Sequence, residues 1–172
     1  MNSFSNPVIE SSELPRYEEV LLTPVSDIYW RVLLINFFIS LFFVGALVVG
    51  IIVIASPLRN YLPIIVVLFI LLWAGIYWLQ KRAFQRRGYA VRQHDIIYRR
   101  GAFATLTTVI PFQRIQHVNV NEGVFSRAYG LAQLQIFTAG GAGSDIKISG
   151  LLHEDAVKIK ELILNRMTND EI

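Results

Sequence analysis

The residues of this chain whose types could do chemistry fall in four places, and three of them argue against it. His94, His117 and His153 stand 23 and 36 residues apart, on an expected turn, strand and helix start. Metal sites draw ligands at close helical or turn spacing, such as two His three or four residues apart. None occurs here, and there is no cysteine, so neither a metal nor a cofactor is expected. The run Thr138-Ala139-Gly140-Gly141-Ala142-Gly143-Ser144 is rich enough in glycine to cradle phosphate. Phosphate loops of that kind lead from a strand into a helix and often carry Lys, whereas this one links two strands, so a flexible hairpin loop is expected. Ser144 and Asp145 have no nearby His to act as base, which leaves no nucleophilic serine. No catalytic residue is assigned.

The fourth place is denser in information. Ile110-Pro111-Phe112-Gln113-Arg114-Ile115-Gln116-His117-Val118 breaks strand alternation and sets a proline where a ladder must stop. It then presents Arg114, Gln116 and His117 from an exposed edge or corner. The structural reading of Arg114 is a guanidinium that pairs a carboxylate or caps carbonyls; the functional reading is binding. Arg127 completes the candidate interaction surface.

These residues depend on elements dominated by a membrane. Residues 32–55 and 61–79 are uncharged apolar runs joined by Ser56-Pro57-Leu58-Arg59-Asn60. At a rise of roughly 1.5 Å per residue each run can cross a hydrocarbon core of about 30 Å. They account for a chain that is 53% hydrophobic and 17% charged. The short connector makes the two helices antiparallel neighbours, and Pro63 falls in the first turn of the second, where its missing N–H costs little. Trp30, Tyr61, Tyr77 and Trp78 match aromatic belts at headgroup depth. Ala46 and Gly50 stand at a spacing that lets helix backbones approach, against Ala74 and Gly75 or another copy. Neither run buries a charge, so transport is not expected.

Charge is segregated along the chain. Residues 1–30 carry one Arg against five acids, and residues 81–100 carry seven Lys or Arg against Asp95. Lys81, Arg82, Arg86 and Arg87 mark the membrane exit and are candidate headgroup contacts. Because Lys and Arg cross bilayers poorly, both termini are expected on the cytoplasmic side. A cleaved signal peptide is not expected, since 31 net-acidic residues with Pro7, Pro15 and Pro24 precede the first apolar core. Nucleic acid is not an expected partner, because residues 101–172 hold six Lys or Arg against seven acids.

Beyond Gly88 the texture turns to short β-like segments at 89–92, 96–99, 105–110, 118–121, 133–138 and 146–149. Residues 154–167 close the chain as one amphipathic helix, with Ala156, Ile159, Ile163 and Met167 on a single face. The organisation read from this is a tail over 1–27, a transmembrane helical hairpin over 28–82 (helices about 32–55 and 61–80), a β domain over 83–167 and a tail over 168–172.

The ordered series Arg87-Gly88-Tyr89, Ile97-Tyr98-Arg99-Arg100-Gly101, the 110–118 run, Tyr129-Gly130-Leu131-Ala132 and Thr138-Ala139-Gly140-Gly141 behind two membrane helices resembles the YdbS-like bacterial membrane proteins. Their soluble part is a bacterial pleckstrin-homology (PH) domain of the second type. The resemblance implies a two-sheet, partly open barrel capped by the C-terminal helix, in the bacterial plasma (inner) membrane. Eukaryotic domains of this fold often bind phosphoinositides through a basic first hairpin. Here that hairpin offers Arg92, His94 and Asp95, with Arg99 and Arg100 well beyond, so the resemblance does not carry inositol-lipid recognition with it. The expected function is a non-enzymatic, membrane-anchored binding or scaffold module that engages membrane lipids and a protein partner or its own copies, in envelope stress or membrane integrity. The alternative is a small membrane enzyme acting on a lipid or peptide near the headgroups, with Asp145 as its acid or base. No small-molecule substrate is identified.

Overall fold

The computed structural model describes residues 20–139 and 145–169. The expected tails over 1–19 and 170–172 and the glycine-rich residues 140–144 lie outside the described residues. Helix α1 spans Ile28–Ile54 and α2 spans Leu62–Gln85, joined by a 3₁₀ turn over Ser56–Tyr61. Both helices run past their apolar stretches, since nothing in Ile28, Tyr29 and Trp30 or in Lys81, Arg82 and Ala83 breaks a helix. Pro63 sits in the first turn of α2. Arg59, the connector's only charge, turns back and donates from Nη2 to the Val53 carbonyl at 2.9 Å. It caps a carbonyl that α1 leaves without a helical partner.

The two helices meet along aromatic side chains. Phe37 contacts Trp73 and Tyr77 with ring centroids 5.1 and 5.9 Å apart, and Trp30 contacts Tyr77 and Phe84 at 5.8 and 5.5 Å. Gly45 faces the other helix, where an added Cβ would stand 3.7 Å from the Phe69 ring. The expected contact of Ala46 and Gly50 with Ala74 and Gly75 does not form. Ala46 and Ala74 are exposed, and a Cβ at Gly50 or Gly75 would meet nothing within 4 Å. The helices meet instead through the rings of Phe37, Trp73 and Tyr77. Of α1 only Val32 and Phe37 are buried, and no residue of α2 is. Helices this apolar and this exposed face lipid, not a protein core.

The β domain is two antiparallel sheets. Strands β1 (Thr23–Pro24), β2 (Gly88–Val91), β3 (Asp95–Arg100) and β4 (Leu106–Pro111) form the first in that order. Strands β5 (Ile115–Asn121), β6 (Leu131–Thr138) and β7 (Ile146–Leu152) form the second. A short helix α3 (Val124–Ala128) links β5 to β6, and α4 (His153–Asn169) follows β7. No ladder joins the sheets among the described residues, so the barrel is open. Alternate residues point inward, and Ile96, Ile110, Val118, Leu134, Ile136 and Ile148 bury against Ala156, Ile159 and Ile163 of α4.

Residues assigned to the tail take part in this domain. Thr23 pairs with Tyr89 and Pro24 with Gly88, Val25 is 4% exposed, and the Ser26 N–H donates to the Gly150 carbonyl at 2.9 Å. The membrane hairpin is therefore an insertion between the first two strands of one sheet. At the other end the ladder opens at Gly88, and α2 continues to Gln85.

Gly150 is where the domain touches the start of α1. Its φ is +86°, and a Cβ there would lie 2.6 Å from the Tyr29 ring. Both the backbone conformation and the space exclude a side chain. Gly150→Ala is expected to cost about 2 kcal/mol and to lower the midpoint of thermal unfolding in micelles by roughly 8 °C or more. Gly50→Ala, which meets open space, should leave it unchanged. Equal midpoints for the two variants would show that the contact with Tyr29 is not made.

Candidate functional site

The end of α2 carries the four basic residues singled out at the membrane exit. Helical spacing puts Trp78, Arg82 and Arg86 on one face, four residues apart. The Arg82 guanidinium lies 5.2 Å from the centroid of the Trp78 ring, and Phe103, in the β3–β4 connection, packs on that ring at 5.7 Å. Arg86 Nη1 donates to the carbonyl oxygens of Ala102 and Phe103 at 3.0 and 3.1 Å. The connection can fold so tightly because Gly101 has φ +132°, where a Cβ would fall 1.9 Å from the Ala104 carbonyl oxygen. Arg87 reaches the other helix. Its Nη1 donates to the Tyr29 hydroxyl at 3.2 Å and its guanidinium sits 5.6 Å from that ring's centroid.

Arg86 and Arg87 fasten the β domain to the hairpin, and Arg86 also lines an open cavity of about 430 Å³ with Trp78, Lys81, Arg82 and Gln85. A second cavity of about 400 Å³ lies between Leu22, Pro24, Arg86, Arg87, Arg99 and Thr105. No acid lines either one. Cationic side chains around concave space suit an anionic group such as a lipid phosphate. The positive field reaches inward: burial pushes the Tyr98 phenol above its ordinary value, and Arg87 and Arg100 pull it the other way.

The second group occupies the end of the domain away from the helices. After β4 a 3₁₀ turn over Phe112–Arg114 carries the chain to the second sheet, anchored by the buried Phe112 and by its N–H, which donates to the His94 carbonyl at 3.0 Å. Ile115 pairs with Thr138 and His117 with Phe137, so Gln116 is the extra residue of a bulge. The His117 ring stacks on Phe137 with centroids 4.0 Å apart and planes 19° apart. Arg114 accepts the Ala139 N–H at its carbonyl, at 3.0 Å. The side chains of Arg114, Gln116 and His117 are all exposed. The structure brings these three together and leaves Arg127 elsewhere. Arg127 lies on α3 beyond the opposite end of β5, its Nε 3.8 Å from Glu122 Oε2, and Glu122 also pairs with His153. His94 sits in the β2–β3 turn, which the Arg92–Asp95 ion pair closes. Asp145 is exposed at the start of β7.

Sequence reasoning missed Tyr29, Phe103, Phe137 and all of α3. Phe103 carried a weak signal, as a lone aromatic in a turn of small residues.

An apolar helical hairpin set into an open two-sheet domain that a helix caps defines a membrane-anchored PH-like protein. The model of the family described as "Bacterial PH domain" matches residues 31–167, and the chain belongs to that family. The transmembrane protein YdbS of Bacillus subtilis (strain 168) is 33% identical to it over 86 residues, 49% of this chain and 52% of that protein. The transmembrane protein YdbT of the same organism is 30% identical over 83 residues, 48% of this chain and 17% of that one. The chain thus spans about half the length of the first relative and far less of the second. No solved structure matches it.

Proposed function

We propose that this protein is a non-enzymatic binding module of the bacterial plasma membrane, with both termini in the cytoplasm. Its β domain would engage a protein partner, or another copy of itself, through the corner formed by Arg114, Gln116 and His117, in an assembly that serves envelope stress or membrane integrity. One observation carries the reading: the hairpin leaves the β domain between paired strands, Thr23 opposite Tyr89 and Pro24 opposite Gly88. A domain held this way has no linker to swing on, so its far corner faces the compartment. Confinement to a layer near the membrane raises the effective concentration of partners and lets a weak interface suffice. The stacked His117–Phe137 pair beside the exposed Arg114 supplies an aromatic surface and an arginine, the latter a residue type enriched at binding hot spots. Membership of a PH-domain family supports binding over catalysis. The basic exit at Lys81, Arg82, Arg86 and Arg87 supports the cytoplasmic orientation.

The double variant Arg114→Ala, His117→Ala should reduce the partner recovered by crosslinking in native membranes by roughly tenfold, as loss of one or two hot-spot side chains does, with membrane content unchanged. Undiminished crosslinks would remove that corner from the interface. A reporter fused after Met167 that is active only outside the cytoplasm should stay silent, and a signal from it would invert the orientation.

A further inference from the structure

The end of the β domain that abuts the hairpin carries apolar side chains that the core does not use. Phe103, in the β3–β4 connection, is 70% exposed and Leu106 at the start of β4 is 52% exposed. Helix α3 contributes no buried residue, yet it opens on Val124, 84% exposed, and Phe125. Left in water, each would forgo about 25 cal/mol for every Å² of apolar surface. The turn before Phe103 is set by Gly101 and by Arg86, which bonds the backbone and not the Phe103 ring.

Their height relative to the bilayer is fixed by the membrane helices. Phe103 packs on Trp78, which lies seven residues before the last residue of α2, so the β3–β4 connection reaches back along that helix by about 10 Å. Helix α3 packs against α1, the other membrane helix, near the place where Tyr29 meets Gly150. Cations flank both points. Arg82 lies over Trp78, Arg100 is exposed at the end of β3, and the Arg127 side chain on α3 is 82% exposed.

We propose that Phe103 and the Val124–Phe125 pair form two wedges seated in the boundary between headgroups and acyl chains of the adjoining leaflet, with Arg82, Arg100 and Arg127 on its anionic phosphates. The occupant is the lipid surface of the protein's own membrane. Two features single it out: each wedge lies against a membrane helix, and apolar side chains with cations beside them complement an anionic interface, the acid next to α3, Glu122, being paired with Arg127 and His153. The inference does not rest on the protein-binding corner at Arg114, which lies at the other end of the domain, nor on which leaflet the domain faces. Together with the hairpin, two wedges give the domain three supports, which fix its tilt as well as its height.

The chain contains no cysteine, so single-cysteine variants can be labelled without background. Phe103→Cys, Val124→Cys and, as the distal control, Gln113→Cys each carry an environment-sensitive fluorophore in the full chain. The protein is reconstituted in vesicles of phosphatidylethanolamine and phosphatidylglycerol. Quenching by a lipid with a nitroxide high on its acyl chain should be roughly threefold or more stronger at 103 and 124 than at 113, as expected for interfacial burial of about 5–10 Å. Aqueous iodide should show the reverse order. Equal lipid quenching at 124 and 113 would overturn the proposal. So would shielding from iodide that grows with protein density without lipid quenching, because it would assign the surface to a second copy.

Discussion

The pairing of Thr23 with Tyr89 and of Pro24 with Gly88 is a very small ladder, yet it closes the sheet around the entire membrane hairpin. Two residues of strand would not hold together ends separated by so much flexible chain, because loop closure costs more than two rungs return. The hairpin removes that cost. Once Trp30 has packed on Tyr77 and Phe84, the two helix ends are already neighbours, and the residues before α1 and after α2 need only fold onto each other. The same proximity lets Arg87 reach Tyr29 and lets the Ser26 N–H find the Gly150 carbonyl. Membrane packing thus forms part of the soluble fold, and the soluble fold in turn fixes how the helices end.

This arrangement explains why the basic residues at the membrane exit are not equivalent. The direction of α2 places Arg86 under the β3–β4 connection, where two carbonyl oxygens accept its guanidinium, and sends Arg87 to the opposite helix. Charge-assisted bonds of this kind, partly shielded from water, hold geometry better than exposed pairs do. Lys81 and Arg82, one turn earlier, lie beside Trp78 and line the cavity there. A single basic cluster thus reaches from the end of α2 to both the β domain and the start of α1.

Much of this was legible in the sequence where the signal was periodic. The uncharged runs announced α1 and α2, and the alternation of Leu134 and Ile136 announced β6. The spacing of Ala156, Ile159 and Ile163 announced the face of α4, and all three are buried. The arrangement of the strands in two sheets came from family resemblance, since antiparallel strands alone do not specify their order. What escaped was short or non-local. β1 has two residues, one of them a proline, and α3 has five, so neither is long enough to repeat its period. The choice of Gly45 over Gly50 for the helix contact was set by where Phe69 falls on the other helix. The interrupted alternation at 110–118 became a 3₁₀ turn and a bulge at Gln116, while Arg127 fell on α3, a part of the fold that no local pattern could place.

The central claim is that the β domain is clamped to the membrane helices and does not hang from them. Spin labels at Leu47→Cys, on the lipid-facing side of α1, and at Lys158→Cys, on the exposed face of α4, report this directly by pulsed dipolar spectroscopy of the protein in lipid nanodiscs. A clamped domain predicts one narrow distance distribution, unchanged between low and high salt. A broad distribution, or several separated maxima, would mean that the domain swings on its attachment and would contradict the account.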